Sequence, residues 1–282
     1  MDKIAKLLEK VETLPASPAL LPRLAELLTE INTTDIHEIV DVVAFDSSLT
    51  AKLLQISNSA YFGNSLPIAN VGEAISQLGY DVVFVLAAAI CGENCMKTAP
   101  GTGLDSVLLW KHSVTSAFGA QYVGRVYGLD GNLAFTTGLL HDLGKVVFAE
   151  TYGKGYTTMF DANRRGPLSL VEWENENYGC NHAEVGARLL GKWRLPPPIV
   201  AGVMYHHNLS GAGENAPLAA CICLGNALSH TLQKPEFTME SSNRDIQAAL
   251  TIANLTTNDL RDQWVAIRKK WDFVQTLCDL RM

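Results

Sequence analysis

Histidine and aspartate side chains beyond residue 100 are the groups best suited to chemistry in this sequence. His141 and Asp142 are adjacent in the run Gly138-Leu139-Leu140-His141-Asp142-Leu143-Gly144-Lys145. An imidazole nitrogen and a carboxylate oxygen both bind divalent transition metals. Neighbouring side chains on a helix diverge by about 100 degrees, so the pair can share one ion only near a helix end or between helices.

Four further histidines fall on other predicted helices. They are His112, His182, His206 and His207. A helical bundle can build an internal metal site by taking one or two imidazoles from each of several helices. Taken singly, each histidine is explained equally well as a surface residue or a hydrogen-bonded core residue, so both interpretations stay open. If the site exists, its donors suit one or two ions of iron, manganese or zinc.

Helical periodicity dominates the chain. Apolar residues recur at the three-and-four spacing of one helix face in two long runs, Leu20 to Ile31 and Leu260 to Leu277. Capping pairs agree with this pattern: Asn70 with Glu73, Ser169 with Glu172, and Asn181 with Glu184. Since no stretch shows convincing strand alternation, the sequence predicts an all-α fold.

The content of the chain suggests three parts. Residues 1–100 hold one histidine, His37, and form a predicted amino-terminal helical subdomain. Residues 101–232 hold the other six histidines and form a predicted helical bundle, joined to the first part at 98–103, where glycine and proline favour a turn. Residues 233–282 begin with a polar segment and form a predicted carboxy-terminal helical extension.

Composition excludes several classes of function. The net charge is −7, and no basic stripe for nucleic acid is visible. The apolar run from Val82 to Cys91 is about half of the roughly 20 residues that a membrane helix needs, so it predicts a buried helix. The six cysteines lack paired zinc-finger spacing and are interpreted as reduced core thiols. We therefore expect a cytoplasmic protein that binds neither nucleic acid nor membrane.

The histidine pattern resembles the HD superfamily of metal-dependent phosphohydrolases, and the run 141–145 is similar to its HD-GYP branch. The resemblance implies an HD-like helical bundle. It implies that His112, His141, Asp142 and His206 bind metal and that His182 and His207 help a second ion. It also implies that Lys145 faces a phosphate, a catalytic role only if the protein is an enzyme.

Three positions depart from that family pattern. Asn226 stands where the family has an aspartate ligand, and an amide carries no charge to neutralise a metal ion. His230, one turn later, is a weaker substitute. Leu108 replaces a glutamate one turn before the first histidine, and 208–211 reads Asn-Leu-Ser-Gly where the HD-GYP branch has Gly-Tyr-Pro.

The first half resembles HDOD proteins specifically. Its motifs are Leu14-Pro15 with Pro18, the run 46–54, the run 57–62 that contains Asn58, Tyr61 and Phe62, and later Ile68, Ala74-Ile75 and Leu78-Gly79. One departure is Ser47, where the family usually has proline. The residues of these motifs supply no nucleophile, so this half is interpreted as architecture or interaction surface, with Tyr61 and Phe62 expected in the core.

The HDOD resemblance implies a bacterial signal-transduction module that lacks catalysis and binds a signalling protein or a nucleotide. The alternative is a metal-dependent phosphohydrolase acting on a nucleotide, a cyclic dinucleotide or another phosphoester. A third hypothesis is a redox or gas-sensing iron site, because imidazoles and a carboxylate also suit non-haem iron. Asn226 and the missing Gly-Tyr-Pro favour the regulatory hypothesis, whereas the retained histidines favour the enzyme.

Overall fold

The computed structural model describes residues 3–10, 20–28, 36–59, 61–63, 67–98, 101–163, 169–232, 234–239 and 243–279. Seventeen α-helices and two short 3₁₀ helices account for the regular structure of these residues, and none of them forms a strand. The predicted all-α class is confirmed. None of the described helices is long and apolar enough to cross a membrane.

The helices follow one another in short steps. The first six are α1 (Lys3–Lys10), α2 (Leu20–Glu26), α3 (Ile36–Ala44), α4 (Ser47–Ser57), α5 (Val71–Leu78) and α6 (Tyr80–Cys95). Eight more carry the histidines and their surroundings: α7 (Ser106–Tyr127), α8 (Gly131–Leu140), α9 (Leu143–Tyr152), α10 (Lys154–Asn163), α11 (Leu170–Tyr178), α12 (His182–Lys192), α13 (Pro197–Tyr205) and α14 (Ala216–Leu232). The last three are α15 (Arg244–Ala253), α16 (Thr257–Lys269) and α17 (Trp271–Cys278).

Helix α7 lies at the centre of the bundle. It packs most extensively on α14 and α8, and it also contacts α16 and α17. Glycine makes the closest of these crossings possible, because a Cβ added to Gly119 of α7 would lie 2.8 Å from the Cα of Gly225 in α14. Two bare backbones therefore meet there, which brings the histidines of α7 and α14 near one another.

Helix caps follow the sequence closely. Ser169 and Asn181 each form a capping box with a glutamate three residues later. Asn70 accepts a hydrogen bond from the backbone N–H of Glu73, whose carboxylate returns to Ala69 N rather than to the cap residue. These side chains satisfy amide groups that the first turn leaves without partners.

The glycine that ends α7 is as expected, but another differs. Gly128 is left-handed, with φ 92° and ψ 16°. Gly79 also has a positive φ of 88°, but its ψ of 157° leaves the left-handed helical region. The extended backbone allows Gly79 to serve as the N-cap of α6 as well, so α5 and α6 are joined by this one residue.

Several predicted boundaries shift. Helix α2 ends at Glu26 with Leu27 and Leu28 in a turn, and Ile31 lies outside the described residues. The run from Leu260 to Leu277 is two helices, because Lys270 leaves helical geometry with ψ 22°. The helix before the paired histidines begins at Pro197, inside the proline run, since proline is tolerated where an N–H has no partner.

One hydrophobic core includes buried residues from all three predicted parts of the chain. Trp110 Nε1 of α7 donates to the carbonyl of Leu277 in α17 at 3.0 Å, which ties the carboxy-terminal extension to the bundle. Val82 to Cys91 forms part of the buried α6, as expected. The division at residues 100 and 232 stays a prediction.

The front motifs form a buttressed turn. Asn58 Nδ2 donates to Ile68 O at 2.8 Å, and Ile68 N donates to Asn58 Oδ1 at 2.7 Å, so this side chain pins the segment after α4. Phe62 packs against the core, as predicted, whereas Tyr61 is 42% exposed and stacks on Phe273. The expectation that Tyr61 would be buried is therefore wrong, because only one ring face is covered. Leu14, Pro15 and Pro18 lie outside the described residues.

Candidate metal centre

The His141-Asp142 pair sits at a junction between helices. His141 is the C-cap of α8 and Asp142 is the N-cap of α9. The Asp142 side chain makes no capping hydrogen bond, so its carboxylate is turned to other partners. The pair thus lies at a helix end, where adjacent side chains can reach one point, as the sequence argument required.

Asp142 is the centre of the cluster. Its Oδ2 lies 3.2 Å from His112 Nε2, 3.4 Å from His141 Nε2 and 2.6 Å from Lys145 Nζ. Its Oδ1 lies 3.4 Å from His182 Nε2. Three helices and one interhelical junction therefore bring a cation and three imidazoles to one carboxylate.

The remaining two histidines complete the cluster. His206, the C-cap of α13, has its ring 5.1 Å from that of His141 and 5.6 Å from that of His182. His207 lies 5.1 Å from the ring of His182. Two sets of donor atoms each lie within 4.8 Å of one another: His112, His141 and Asp142 form one, and His182, His206 and His207 form the other. The structure brings all six predicted metal residues together.

Hydrogen bonds fix the orientation of three rings. The Nδ1 of His141 contacts the carbonyl of Gly138 at 2.7 Å, and the Nδ1 of His206 contacts the carbonyl of Val203 at 2.6 Å. A carbonyl only accepts, so each Nδ1 carries the proton and each Nε2 carries a lone pair. Both Nε2 atoms, and that of His182, are buried without a hydrogen-bond partner among the described residues. Orphaned lone pairs beside a carboxylate are the arrangement that a metal ion satisfies.

The protonation states also suit ligation. Burial lowers the pKa of His141 to about 3, and it holds the pKa values of His206 and His207 well below the ordinary value, with neighbouring imidazoles adding to the effect. Burial by itself would raise the pKa of Asp142, but His141 and Lys145 lower it well below its ordinary value. The site at neutral pH therefore offers neutral imidazoles and an ionised carboxylate, which are the forms that bind metal.

A buried glutamate that sequence reasoning missed supports His182. Glu174 in α11 is fully buried and its Oε2 lies 2.7 Å from His182 Nδ1. Its Oε1 accepts a hydrogen bond from the Tyr156 hydroxyl at 2.7 Å. The sequence gave little signal, because Glu172, Glu174 and Glu176 together resemble an ordinary solvated helix face.

The position that departs from the HD pattern lies on α14. Ser229 Oγ is 3.1 Å from His112 Nδ1 and donates to the carbonyl of Asn226 at 2.6 Å. The His230 ring lies 5.2 Å from that of His112. Asn226 is thus one turn from two residues that contact His112, and its Oδ1 is buried without a hydrogen-bond partner within the described chain. It adds an oxygen but no charge.

Gly144 explains part of the His-Asp-Leu-Gly-Lys run. A Cβ at this position would clash with the carbonyl oxygen of His182 and would lie 2.9 Å from Gly186 N. Helices α9 and α12 can approach this closely only because Gly144 has no side chain. This contact sets the spacing between Asp142, just before α9, and His182, at the start of α12.

The family model of the HDOD domain matches residues 14–209. The chain belongs to the HDOD family. A protein from Treponema pallidum (strain Nichols), of uncharacterised function, is 27% identical over 229 residues, which are 79% of this chain and 43% of that protein. The chain therefore spans less than half the length of this relative.

Solved structures share the fold of this HDOD chain. An HDOD domain protein of unknown function from Geobacter sulfurreducens has a TM-score of 0.77 at 21% identity and covers 99% of this chain and 96% of its own. A Shewanella amazonensis protein, assigned provisionally as a phosphohydrolase, has a TM-score of 0.72 at 20% identity and covers 97% and 98%. Identities this low establish the common helical architecture.

Proposed function

We propose that this HDOD chain is a regulatory module whose HD-like half holds one divalent transition-metal ion and which acts by binding a signalling protein or a nucleotide. The observation that carries the proposal is the burial of the donors. His141, Asp142, His182 and His206 are at most 1% exposed, so the cluster is an interior feature of the bundle. A phosphoester needs access to the metal that it reacts on, and these walls give little.

The contacts of Asp142 support the same proposal. Lys145 Nζ lies 2.6 Å from Asp142 Oδ2, so the ammonium group that could meet a phosphate is engaged by a ligand carboxylate. A substrate would have to compete with this charge-assisted contact at a buried position. The arrangement is better suited to holding an ion than to turning over a substrate.

The charge of the donor set supports one ion rather than two. Two dications at the roughly 3.5–4 Å separation of a two-metal centre repel strongly and need several negative ligands. Asp142 is the one carboxylate in the two donor sets of the described residues, and the neutral Asn226 adds none. A single ion would compensate Asp142 and the orphaned imidazole nitrogens.

The test compares metal-loaded wild-type protein with Asp142→Ala. Each is loaded with Mn²⁺, Fe²⁺ or Zn²⁺ and incubated with a chromogenic phosphodiester and with cyclic dinucleotides. We expect bound metal but no hydrolysis above the Asp142→Ala background. Titration of the same nucleotides by calorimetry then asks for binding without turnover. Hydrolysis that depends on Asp142 would contradict the regulatory proposal.

A metal-dependent phosphohydrolase is the second candidate, because the cluster has an accessible edge. The His112 and Lys145 side chains are 20% and 13% exposed, and both contact Asp142. A bound dication would supply positive charge for a phosphoester, with Lys145 positioned to contact the phosphate. This candidate predicts that Lys145→Ala abolishes any activity seen while metal content is retained. Equal activity in Lys145→Ala and wild type would count against it.

A further inference from the structure

Glu174 is an unusual residue for its helix. Its neighbours Glu172 and Glu176 are exposed, whereas Glu174 has no solvent exposure. An isolated buried carboxylate costs several kcal/mol unless hydrogen bonds or a cation compensate it. Its burial therefore calls for a specific compensating partner.

Three hydrogen bonds converge on this carboxylate. The backbone N–H of His182 donates to Oε2 at 2.8 Å, and His182 Nδ1 contacts the same oxygen at 2.7 Å. The Tyr156 hydroxyl donates to Oε1 at 2.7 Å. Burial and the nearby Glu174 raise the pKa of Tyr156 well above its ordinary value, so the phenol stays a donor. An acceptor of three hydrogen bonds behaves as the ionised acid.

The imidazole of His182 connects Glu174 to the metal centre. Its Nδ1 faces Glu174 while its Nε2 lies 3.4 Å from Asp142 Oδ1. A carboxylate that accepts from one ring nitrogen fixes the tautomer and makes the other nitrogen a stronger donor. In return, a cation held by His182 would compensate the buried charge of Glu174.

We infer that Glu174, held in place by Tyr156, is a positioning residue that supplies the metal centre with a second negative charge through His182. The inference rests on the proposed metal site and deepens it. A site with one carboxylate ligand and a neutral amide at Asn226 then gains its missing charge from behind a histidine. The centre would be selective for a borderline dication that binds imidazole over hard Mg²⁺ or Ca²⁺, which prefer oxygen.

The experiment measures Zn²⁺ affinity by calorimetric competition with a chelator in four proteins: wild type, Glu174→Gln, Glu174→Asp and Glu176→Gln. Glutamine has nearly the same shape and can still accept from His182, so Glu174→Gln removes mainly the charge. We expect it to weaken Zn²⁺ binding about 10- to 100-fold. Glu174→Asp should retain part of the affinity, and Glu176→Gln, which removes an exposed charge from the same helix, should match wild type.

Thermal unfolding in chelator separates this role from a merely structural one. Without metal, Glu174 is an incompletely compensated buried charge, so Glu174→Gln should unfold at the wild-type temperature or above it. With Zn²⁺ the order should reverse. A Glu174→Gln protein that is destabilised without metal and binds Zn²⁺ as wild type does would overturn the inference.

The outcomes distinguish this inference from the proposed function. If wild type binds no Zn²⁺, the proposed metal site itself fails. If wild type binds Zn²⁺ and Glu174→Gln binds equally well, the metal site stands and the role of Glu174 is wrong. Should Glu174→Gln fail to fold, Tyr156→Phe decides, since it keeps the carboxylate but removes one hydrogen bond. We expect a several-fold weaker Zn²⁺ affinity in this variant, and unchanged affinity would overturn the inference.

Discussion

Replacing Gly144 with alanine should damage both the fold and the metal centre. The added Cβ would clash with the His182 carbonyl oxygen and would lie 2.7 Å from the carbonyl carbon, whereas ordinary contact begins at 3.4 Å. The obstacle is backbone, so α9 and α12 must separate by more than about 0.7 Å. Overpacking of this kind costs about 1–3 kcal/mol, and we expect about 3 kcal/mol because no side chain can rotate away.

The assay is urea unfolding in the presence of chelator, with Gly191→Ala as the matched control. Gly191 is exposed in α12 and its added Cβ would meet nothing within 4 Å, so this variant should be as stable as wild type or slightly more stable. Gly144→Ala should also bind Zn²⁺ weakly, because Asp142 and His182 move apart. Equal unfolding midpoints for the two variants would refute the packing argument.

Three further predictions concern stability. Burial lowers the pKa of His141 from 6.5 to about 3, so the metal-free fold is fully stabilised above about pH 6.5 and loses about 1.4 kcal/mol from this residue by about pH 5.5; urea midpoints that do not change with pH would contradict this. Asn58→Ala leaves both backbone groups of Ile68 without their partner and should cost about 2–4 kcal/mol in the same assay, whereas a loss under about 0.5 kcal/mol would contradict the pinning role. Trp110→Phe removes the bond to Leu277 O and should lower hydrogen-exchange protection in α17 at a cost of about 1 kcal/mol; unchanged protection would show that other contacts hold this helix.

Local chemistry made much of the fold predictable. The capping box of Asn181 and Glu184 depends on residues three apart, so the sequence alone located the start of α12 and placed His182 in its first turn. The divergence of adjacent helical side chains likewise required His141 and Asp142 to lie at a helix end. Both inferences succeeded because they depend on geometry within a few residues.

Tertiary packing decides what the sequence could not show. The apolar spacing passes through Lys270 with almost no interruption, so periodicity could not reveal that α16 ends there and α17 begins at Trp271. Glu174 is buried because Tyr156 and His182, from two other helices, close over it. Contacts between distant segments leave no local pattern, and the residue behind His182 was missed for that reason.

The central claim is that the cluster around Asp142 holds one metal ion. The most direct test is the metal content, by mass spectrometry, of protein purified without chelator or nickel resin, beside Asp142→Ala. We expect close to one ion of iron, manganese or zinc per wild-type chain, and none in a folded Asp142→Ala protein. A folded wild-type chain that stays free of metal after reconstitution would contradict the claim, and two ions per chain would contradict its stoichiometry.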